Sequence, residues 1–162
     1  MRIGIGYDIH RYGEGRPLVI GGVLIPGERG LSGHSDADVA LHAIIDATLG
    51  AAGLGDIGQH FPPDDPAYQG ADSGKLLTRT LEMVAASGYR MESLDATIIA
   101  ERPRLSPYLA EMRERIAEIA GLEVFQVNIK ATTNEGIGAI GRGEGMAALA
   151  VVLLQETEQQ KL

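Results

Sequence analysis

Cysteine is absent from the 162 residues. Disulfides, thiolate metal sites and a cysteine nucleophile are thereby excluded, and a reducing compartment fits. Aromatic residues are scarce at 4%; beside 22 glycines, that scarcity points to tight turns and a core of small side chains. Positive charge is short as well: 14 Lys and Arg against 22 Asp and Glu give a formal charge of −8. Such a chain lacks the cationic face that non-specific nucleic-acid binding needs, and it would be repelled by anionic lipid headgroups. No nucleic acid and no membrane are expected as partners. Any phosphate ligand must be met by local devices: a metal ion, a helix N-terminus, a few placed cations. The longest apolar run, Met146 to Leu154, is too short to span a bilayer. The opening Met1-Arg2-Ile3-Gly4-Ile5 has no apolar stretch behind a basic start. The expectation is a soluble cytoplasmic protein, or one of the plastid stroma if a transit peptide has been removed.

Several catalytic signatures are missing too. There is no Walker A pattern and no Gly-x-Ser-x-Gly, and nothing else supports a Ser/His/Asp triad. Gly136-x-Gly138-x-x-Gly141 matches the dinucleotide fingerprint literally and follows a strand. Too little chain follows to complete a βαβ unit, and no acidic residue is placed to grip a ribose. With Gly143 and Gly145 nearby, the stretch reads as a close-packed backbone loop.

What is present is ordinary globular material, 44% hydrophobic and 22% charged, enough for one domain over residues 1–162. Strands are predicted at Arg2–Asp8, Leu94–Ala100 and Val124–Thr132. A hairpin joins Leu18-Val19-Ile20 to Val23-Leu24-Ile25 through Gly21-Gly22. Helices are predicted over Ser35–Gly53, Ser73–Ala86 and Pro107–Ala120; the first opens with a capping-box-like Ser35-x-x-Asp38. Residues 54–71 read as a Gly/Pro/Asp-rich loop, and the run 146–154 is helix or strand. This order predicts an α/β (α+β) single domain, a mixed β-sheet with helices packed on one face.

All four histidines, His10, His34, His42 and His60, fall in the first 60 residues. In an extended segment Asp8 and His10 point the same way, so both can bind one metal. His42 shares a helix face with Asp38 and Asp46, four residues to either side. Asp8, His10 and His42 make a two-nitrogen, one-oxygen set that suits zinc and leaves a fourth position for substrate. The plainer account stands beside it: a strand end, a core histidine and a helix cap. His34-Ser35 precedes a helix, where anions bind, although a simple Ser cap explains the pair. Ala131-Thr132-Thr133-Asn134-Glu135 offers hydroxyls and a carboxylate for phosphate and Mg²⁺, although a polar turn explains it equally.

Taken together, six ordered blocks resemble the 2-C-methyl-D-erythritol 2,4-cyclodiphosphate synthase family of the non-mevalonate isoprenoid pathway. The first three are Gly4-Ile5-Gly6-Tyr7-Asp8-Ile9-His10, His34-Ser35-Asp36-Ala37-Asp38-Val39-Ala40-Leu41-His42-Ala43 and Gly55-Asp56-Ile57-Gly58-Gln59-His60-Phe61-Pro62. The others are Ala100-Glu101-Arg102-Pro103, Asn128-Ile129-Lys130-Ala131-Thr132-Thr133-x-Glu135 and Gly141-Arg142-Gly143-Glu144-Gly145. The resemblance implies a lyase acting on 4-diphosphocytidyl-2-C-methyl-D-erythritol 2-phosphate. The substrate's own 2-phosphate would attack the β-phosphorus, close a cyclic diphosphate and release CMP, so no protein nucleophile is needed. It further implies one Zn²⁺ per chain on Asp8, His10 and His42, and Mg²⁺ or Mn²⁺ on Glu135.

By the same resemblance, His34 and Thr133 are catalytic stabilisers, with Ser35 and Thr132 on phosphate oxygens. Asp46 would orient His42 or contact substrate. Asp56, Ile57, Gly58, Phe61, Pro62, Pro63, Asp64 and Asp65 would bind the erythritol, and Ala100, Pro103, Arg104, Leu105 and Ser106 the cytidine, with Ala131 alongside. A homotrimer with sites at subunit interfaces is implied, with an isoprenoid diphosphate in a central cavity near Ala139 and Arg142. Two positions depart from the family: Arg104 stands where Lys is common, and Ala139 where some members have Phe. A zinc-dependent phosphohydrolase and a nucleotide-binding sensor are the competing functions.

Overall fold

A computed structural model of the chain describes residues 1–157. Strand β1 (Arg2–Arg11) alternates from Ile3 onward. Gly4, Gly6, Asp8 and His10 share one face by the two-residue period; Ile3, Ile5, Tyr7 and Ile9 share the other and are 72, 70, 53 and 49% exposed. A tight hairpin, β2 (Leu18–Ile20) and β3 (Val23–Ile25), follows. Its Gly21 and Gly22 both take positive φ, 60° and 74°, as a primed two-residue turn demands.

Helix α1 (Val39–Ala52) is buried on all sides except at Asp46 and Gly50. It lies on β1 and β6 (Gly145–Glu156), with α3 (Ser73–Ala86) against it. A helix apolar all round belongs in a core, and the small residues Ala40, Ala43, Ala47 and Ala51 let it sit close. At Gly6 an added Cβ would fall 1.9 Å from the Ala43 carbonyl oxygen and 2.6 Å from Ala47 N; at Gly4 it would fall 2.0 Å from Ala47 O. Backbone thus meets backbone, which only glycine permits.

Between α1 and α3 lies the short helix α2 (Ile57–His60). Strand β4 (Tyr89–Ile99), helix α4 (Leu109–Ala120) and strand β5 (Val127–Thr132) make a parallel pair with a helical crossover. A one-turn helix α5 (Gly138–Gly141) precedes β6 (Gly145–Glu156). The main sheet runs β1-β6-β4-β5, with β6 antiparallel to both neighbours. The expected mixed sheet is present, with α1 against β1 and β6, α3 against β4, and α4 against β5. No helix among the described residues is long and apolar enough to cross a membrane.

Several boundaries differ from expectation. The first helix begins at Val39 rather than Ser35: Ala37 sits at φ 58°, outside helical space, and Asp38 is the cap, accepting from Leu41 N at 3.0 Å. No capping box forms at Ser35, whose hydroxyl accepts from Ala37 N and faces His42. Residues Val124–Gln126 form a 3₁₀ turn rather than strand, and Ser106–Tyr108 another before α4. The ambiguous run 146–154 lies within β6, paired on both sides, where its burial follows from position rather than local pattern. In the glycine stretch, Gly141 packs directly on the Gly136 backbone, and α5 is too short to carry a dinucleotide. Residues 158–162 of the expected domain lie outside the described residues.

Candidate active site

Asp8 and His10 point from the end of β1 toward α1, and the glycine contacts bring α1 close enough for His42 to reach them. His10 Nε2 lies 2.9 Å from Asp8 Oδ2, His42 Nδ1 lies 3.2 Å from the same oxygen, and the two nitrogens are 3.3 Å apart. Tetrahedral zinc bonds of about 2.0–2.1 Å imply ligand-to-ligand edges of about 3.3 Å. The triangle therefore has the size of one zinc face.

The tautomers agree with this. His10 Nδ1 lies 2.8 Å from the Ser32 carbonyl oxygen; a carbonyl only accepts, so Nδ1 carries the proton and Nε2 offers a lone pair. His42 Nε2 lies 3.0 Å from Ser35 Oγ and 2.9 Å from Ser73 Oγ. The Ser73 hydroxyl donates to the Asp36 carboxylate, so it can only accept from His42. Nε2–H is thereby fixed, and Nδ1 offers the second lone pair. Two nitrogen lone pairs and a carboxylate converge on one point, an arrangement that demands a cation. These donors are the one cluster of three or more His, Cys, Asp or Glu with metal-binding spacing among the described residues. Zinc fits the set.

The electrostatics show the same demand. Burial alone would raise the Asp8 carboxyl, but hydrogen bonds and charge from His10 and His42 outweigh it and bring the pKa down to about 2. Burial alone would lower His10; hydrogen bonding and charge from Asp8 prevail and raise it. A proton here does what a metal cation does, holding the carboxylate ionised.

The metal donors line a cleft of about 200 Å³ together with His34, Ser35, Ile57, Gly58, Phe61 and Pro63. Tyr68 and Leu76 complete its wall; sequence reasoning missed both, because a lone aromatic in a loop and one apolar residue in a helix carry no signal. His34 Nε2 donates to the Asp65 carbonyl at 2.8 Å, tying the loop of Pro62, Asp64 and Asp65 to the cleft. Asp56 caps α2 and is exposed. Asp46 does not orient His42: its Oδ1 accepts from Ile57 N at 3.1 Å, and the imidazole is held by Ser35 and Ser73 instead. The roles of Ser73 and Asp36 were likewise invisible, since residues 31 and 6 positions from His42 meet it only in the fold.

A second group gathers elsewhere. Ala100, Pro103, Arg104, Leu105, Ser106, Ala131, Thr132 and Thr133 line a pocket of about 220 Å³ at the ends of β4 and β5. Arg104 donates to Ser106 Oγ at 2.9 Å. Glu135, beyond Thr133, is exposed with φ 52°, and its carboxylate has no hydrogen-bond or ion-pair partner among the described residues. Ala139 lines a third hollow with Ile9 and Ile140. Arg142 pairs with Glu144 at 2.8 Å and faces a depression shared with Arg29 and Arg102.

Register places His10, Ala100 and Thr132 along one rim of the sheet. β1 and β5, however, are opposite edges, separated by three strand spacings or about 14 Å. Among the described residues of one chain, the donor triangle and the second pocket share no cavity.

This fold and this donor set define a member of one family: the profile of the YgbB family matches residues 1–155, and the chain belongs to it. The relatives give the family its activity. The chain is 61% identical over 154 residues to the 2-C-methyl-D-erythritol 2,4-cyclodiphosphate synthase of Symbiobacterium thermophilum, covering 95% of this chain and 98% of the relative. It is 59% identical to the enzyme of the same name from Moorella thermoacetica, over 98% and 97% of the two chains. Among solved structures, a 2-C-methyl-D-erythritol 2,4-cyclodiphosphate synthase in a CDP-bound form superposes with a TM-score of 0.87 at 38% identity, over 95% of this chain and all of that one. The bifunctional IspDF of Campylobacter jejuni gives 0.92 at 42% identity, over 96% of this chain and 42% of that one.

Proposed function

We propose that the chain catalyses the reaction for which its relatives are named, converting 4-diphosphocytidyl-2-C-methyl-D-erythritol 2-phosphate to the 2,4-cyclodiphosphate and CMP. The observation that carries this reading is the donor triangle of Asp8, His10 and His42, set in a cleft walled by the loop 57–65. A 2-phosphate oxygen of the substrate forms the new bond to the β-phosphorus. The bond from that phosphorus to the oxygen bridging toward the α-phosphorus breaks, and the electron pair leaves with CMP.

Zinc bound by the triangle would neutralise charge on the β-phosphate and make its phosphorus more electrophilic. Everything else falls to the protein. His34, anchored through Nε2, and the Ser35 hydroxyl face the phosphates from one wall, while Ile57, Gly58 and Phe61 hold the methylerythritol against the cleft. Thr132 and Thr133 donate hydroxyls to phosphate oxygens, and Glu135 would hold Mg²⁺ or Mn²⁺, which would neutralise charge on the diphosphate. Arg104 presents a forked guanidinium where a lysine would be a point charge. The pocket from Ala100 to Ser106 takes the cytidine, with Ala131 at its edge.

This assignment requires a second subunit at each site, and the assembly proposed is a homotrimer. The metal cluster and Glu135 have to act on adjacent phosphates, which the roughly 14 Å between β1 and β5 forbids within one chain. A neighbouring subunit presenting its β5 end to the metal cleft removes the conflict. The exposed apolar face of β1, continued by Leu149 and Val151 on β6, supports the same assembly, since contiguous apolar surface marks an interface. Near the centre of such a trimer an isoprenoid diphosphate at Arg142 would have to displace the Glu144 carboxylate.

The test is incubation with the cytidyl diphosphate substrate and Mg²⁺, followed by phosphorus NMR. CMP with the cyclic diphosphate is expected. CMP with an open-chain product would establish a phosphohydrolase, and no turnover by zinc-loaded protein would establish a binding role.

A further inference from the structure

The proposed zinc ligand His42 is backed by a chain of hydrogen bonds that joins α1, α3 and the loop before α1. Its Nε2–H donates to Ser73 Oγ at 2.9 Å, and the Ser73 hydroxyl donates to Asp36 Oδ1. The other carboxylate oxygen of Asp36 accepts from Ser73 N at 2.9 Å, while Oδ1 also accepts from Asp38 N at 3.1 Å. Ser73 is fully buried, and Asp36 N donates to the Ala71 carbonyl at 3.0 Å. The carboxylate is thus held on several sides and aimed at one hydroxyl. Ser35 Oγ, the other partner of Nε2, has no carboxylate behind it among the described residues and also accepts from Ala37 N.

We infer that Asp36 and Ser73 are positioning residues for the metal: a carboxylate-hydroxyl-imidazole relay fixes the His42 tautomer, aims Nδ1 at the zinc and strengthens it as a donor. This rests on the zinc reading given above. A carboxylate acting through a hydroxyl on the far nitrogen raises the basicity of the metal-bound one, as a direct histidine-carboxylate contact does in zinc sites. The relay also ties the zinc ligand to the first residue of α3, where the loop that walls the substrate cleft ends. Ser35→Ala removes an unbacked hydroxyl and is expected to matter less than Ser73→Ala.

Zinc affinity decides the matter, measured by competition with a chromophoric chelator and independently of turnover. Wild type should hold one zinc per chain; if it holds none, both the zinc reading and the relay fall. Given zinc in the wild type, Ser73→Ala and Asp36→Asn should each weaken it about 10- to 100-fold. The double variant should be no weaker than Ser73→Ala, because Asp36 acts through that hydroxyl. The visible spectrum of the cobalt-substituted site should shift in both single variants. Folded variants that bind zinc within twofold of wild type would overturn the relay and leave the zinc reading standing. Should the variants fail to fold, ¹⁵N-histidine NMR of the zinc-loaded wild type decides: a slowly exchanging proton on His42 Nε2 is expected, and a metal-bound Nε2 would overturn the proposal.

Discussion

Asp38 and Asp8 show how differently burial treats two carboxylates of one chain. Asp8 is half-buried beside two imidazoles and is held ionised. Asp38 has no cation beside it: burial pushes its pKa up to about 6, against hydrogen bonds from Leu41 N, Gly22 N and Gly21 N and with help from the charge of Asp36. A raised carboxyl pKa means that the native state binds the proton more tightly than the unfolded chain. Its contribution to stability is therefore complete below 3.8 and is lost as pH rises to about 6. The unfolding free energy of wild type relative to Asp38→Asn should fall across that window and level off above it, as denaturant titrations at successive pH values will show; a flat difference would mean that Asp38 titrates normally. At the metal, His42→Ala should abolish zinc binding and turnover while the far-ultraviolet circular dichroism stays native, because one partly polar contact is lost from a large core. Glu135→Gln should abolish the dependence on Mg²⁺ but leave zinc content unchanged, since Glu135 lies beyond β5 and away from the triangle; loss of zinc in that variant would move Glu135 into the first site.

Among the elements, the contact between β1 and α1 sets the distance from Asp8 to His42. A methyl group at Gly6 cannot fit without moving the Ala43 carbonyl, and Ala43 adjoins His42. Gly6→Ala should therefore cost about 1–3 kcal/mol through overpacking and weaken zinc binding as well, by opening the triangle. Gly50 gives the contrasting case. It sits in the same helix, exposed, with nothing within 4 Å of an added Cβ, so Gly50→Ala should stabilise by about 0.5–1 kcal/mol. Thermal unfolding of the two variants, with zinc content measured in parallel, distinguishes a packing constraint from a general preference for glycine.

At the scale of the whole molecule, the exposed side of the sheet is divided. Ile3, Ile5, Tyr7 and Ile9 on β1 and Leu149 and Val151 on β6 form an apolar band. Further across, Asp95 pairs with Lys130 and takes a hydrogen bond from Asn128. A band of this kind suits a three-fold association that leaves the polar edge for subunit-to-subunit contact. Ile5→Lys should convert a species of three times the 17.1 kDa chain mass into a monomer by analytical ultracentrifugation, with activity lost and zinc retained. Zinc retention is the informative part, because the donor triangle is complete within one chain. A monomeric variant that still turns over would remove the argument for sites shared between subunits.

By itself the sequence determined the donor set, the hairpin at Gly21-Gly22 and the helices whose apolar period is plain, because those signals are local: residues two apart on a strand share a face, and four apart share a helix face. It also carried the family blocks on which the reaction class rests. It did not determine where α1 begins, since Ser35 reads as a cap until His42 is known to occupy its hydroxyl. Nor did it reveal β6, whose place between β1 and β4 follows from long-range pairing that an apolar run cannot announce. Only the tertiary structure brought Asp36 and Ser73 to His42, gave Asp46 to Ile57, and put β1 and β5 on opposite edges of one sheet. Those are consequences of chain path, and local periodicity holds no information about which distant segments meet.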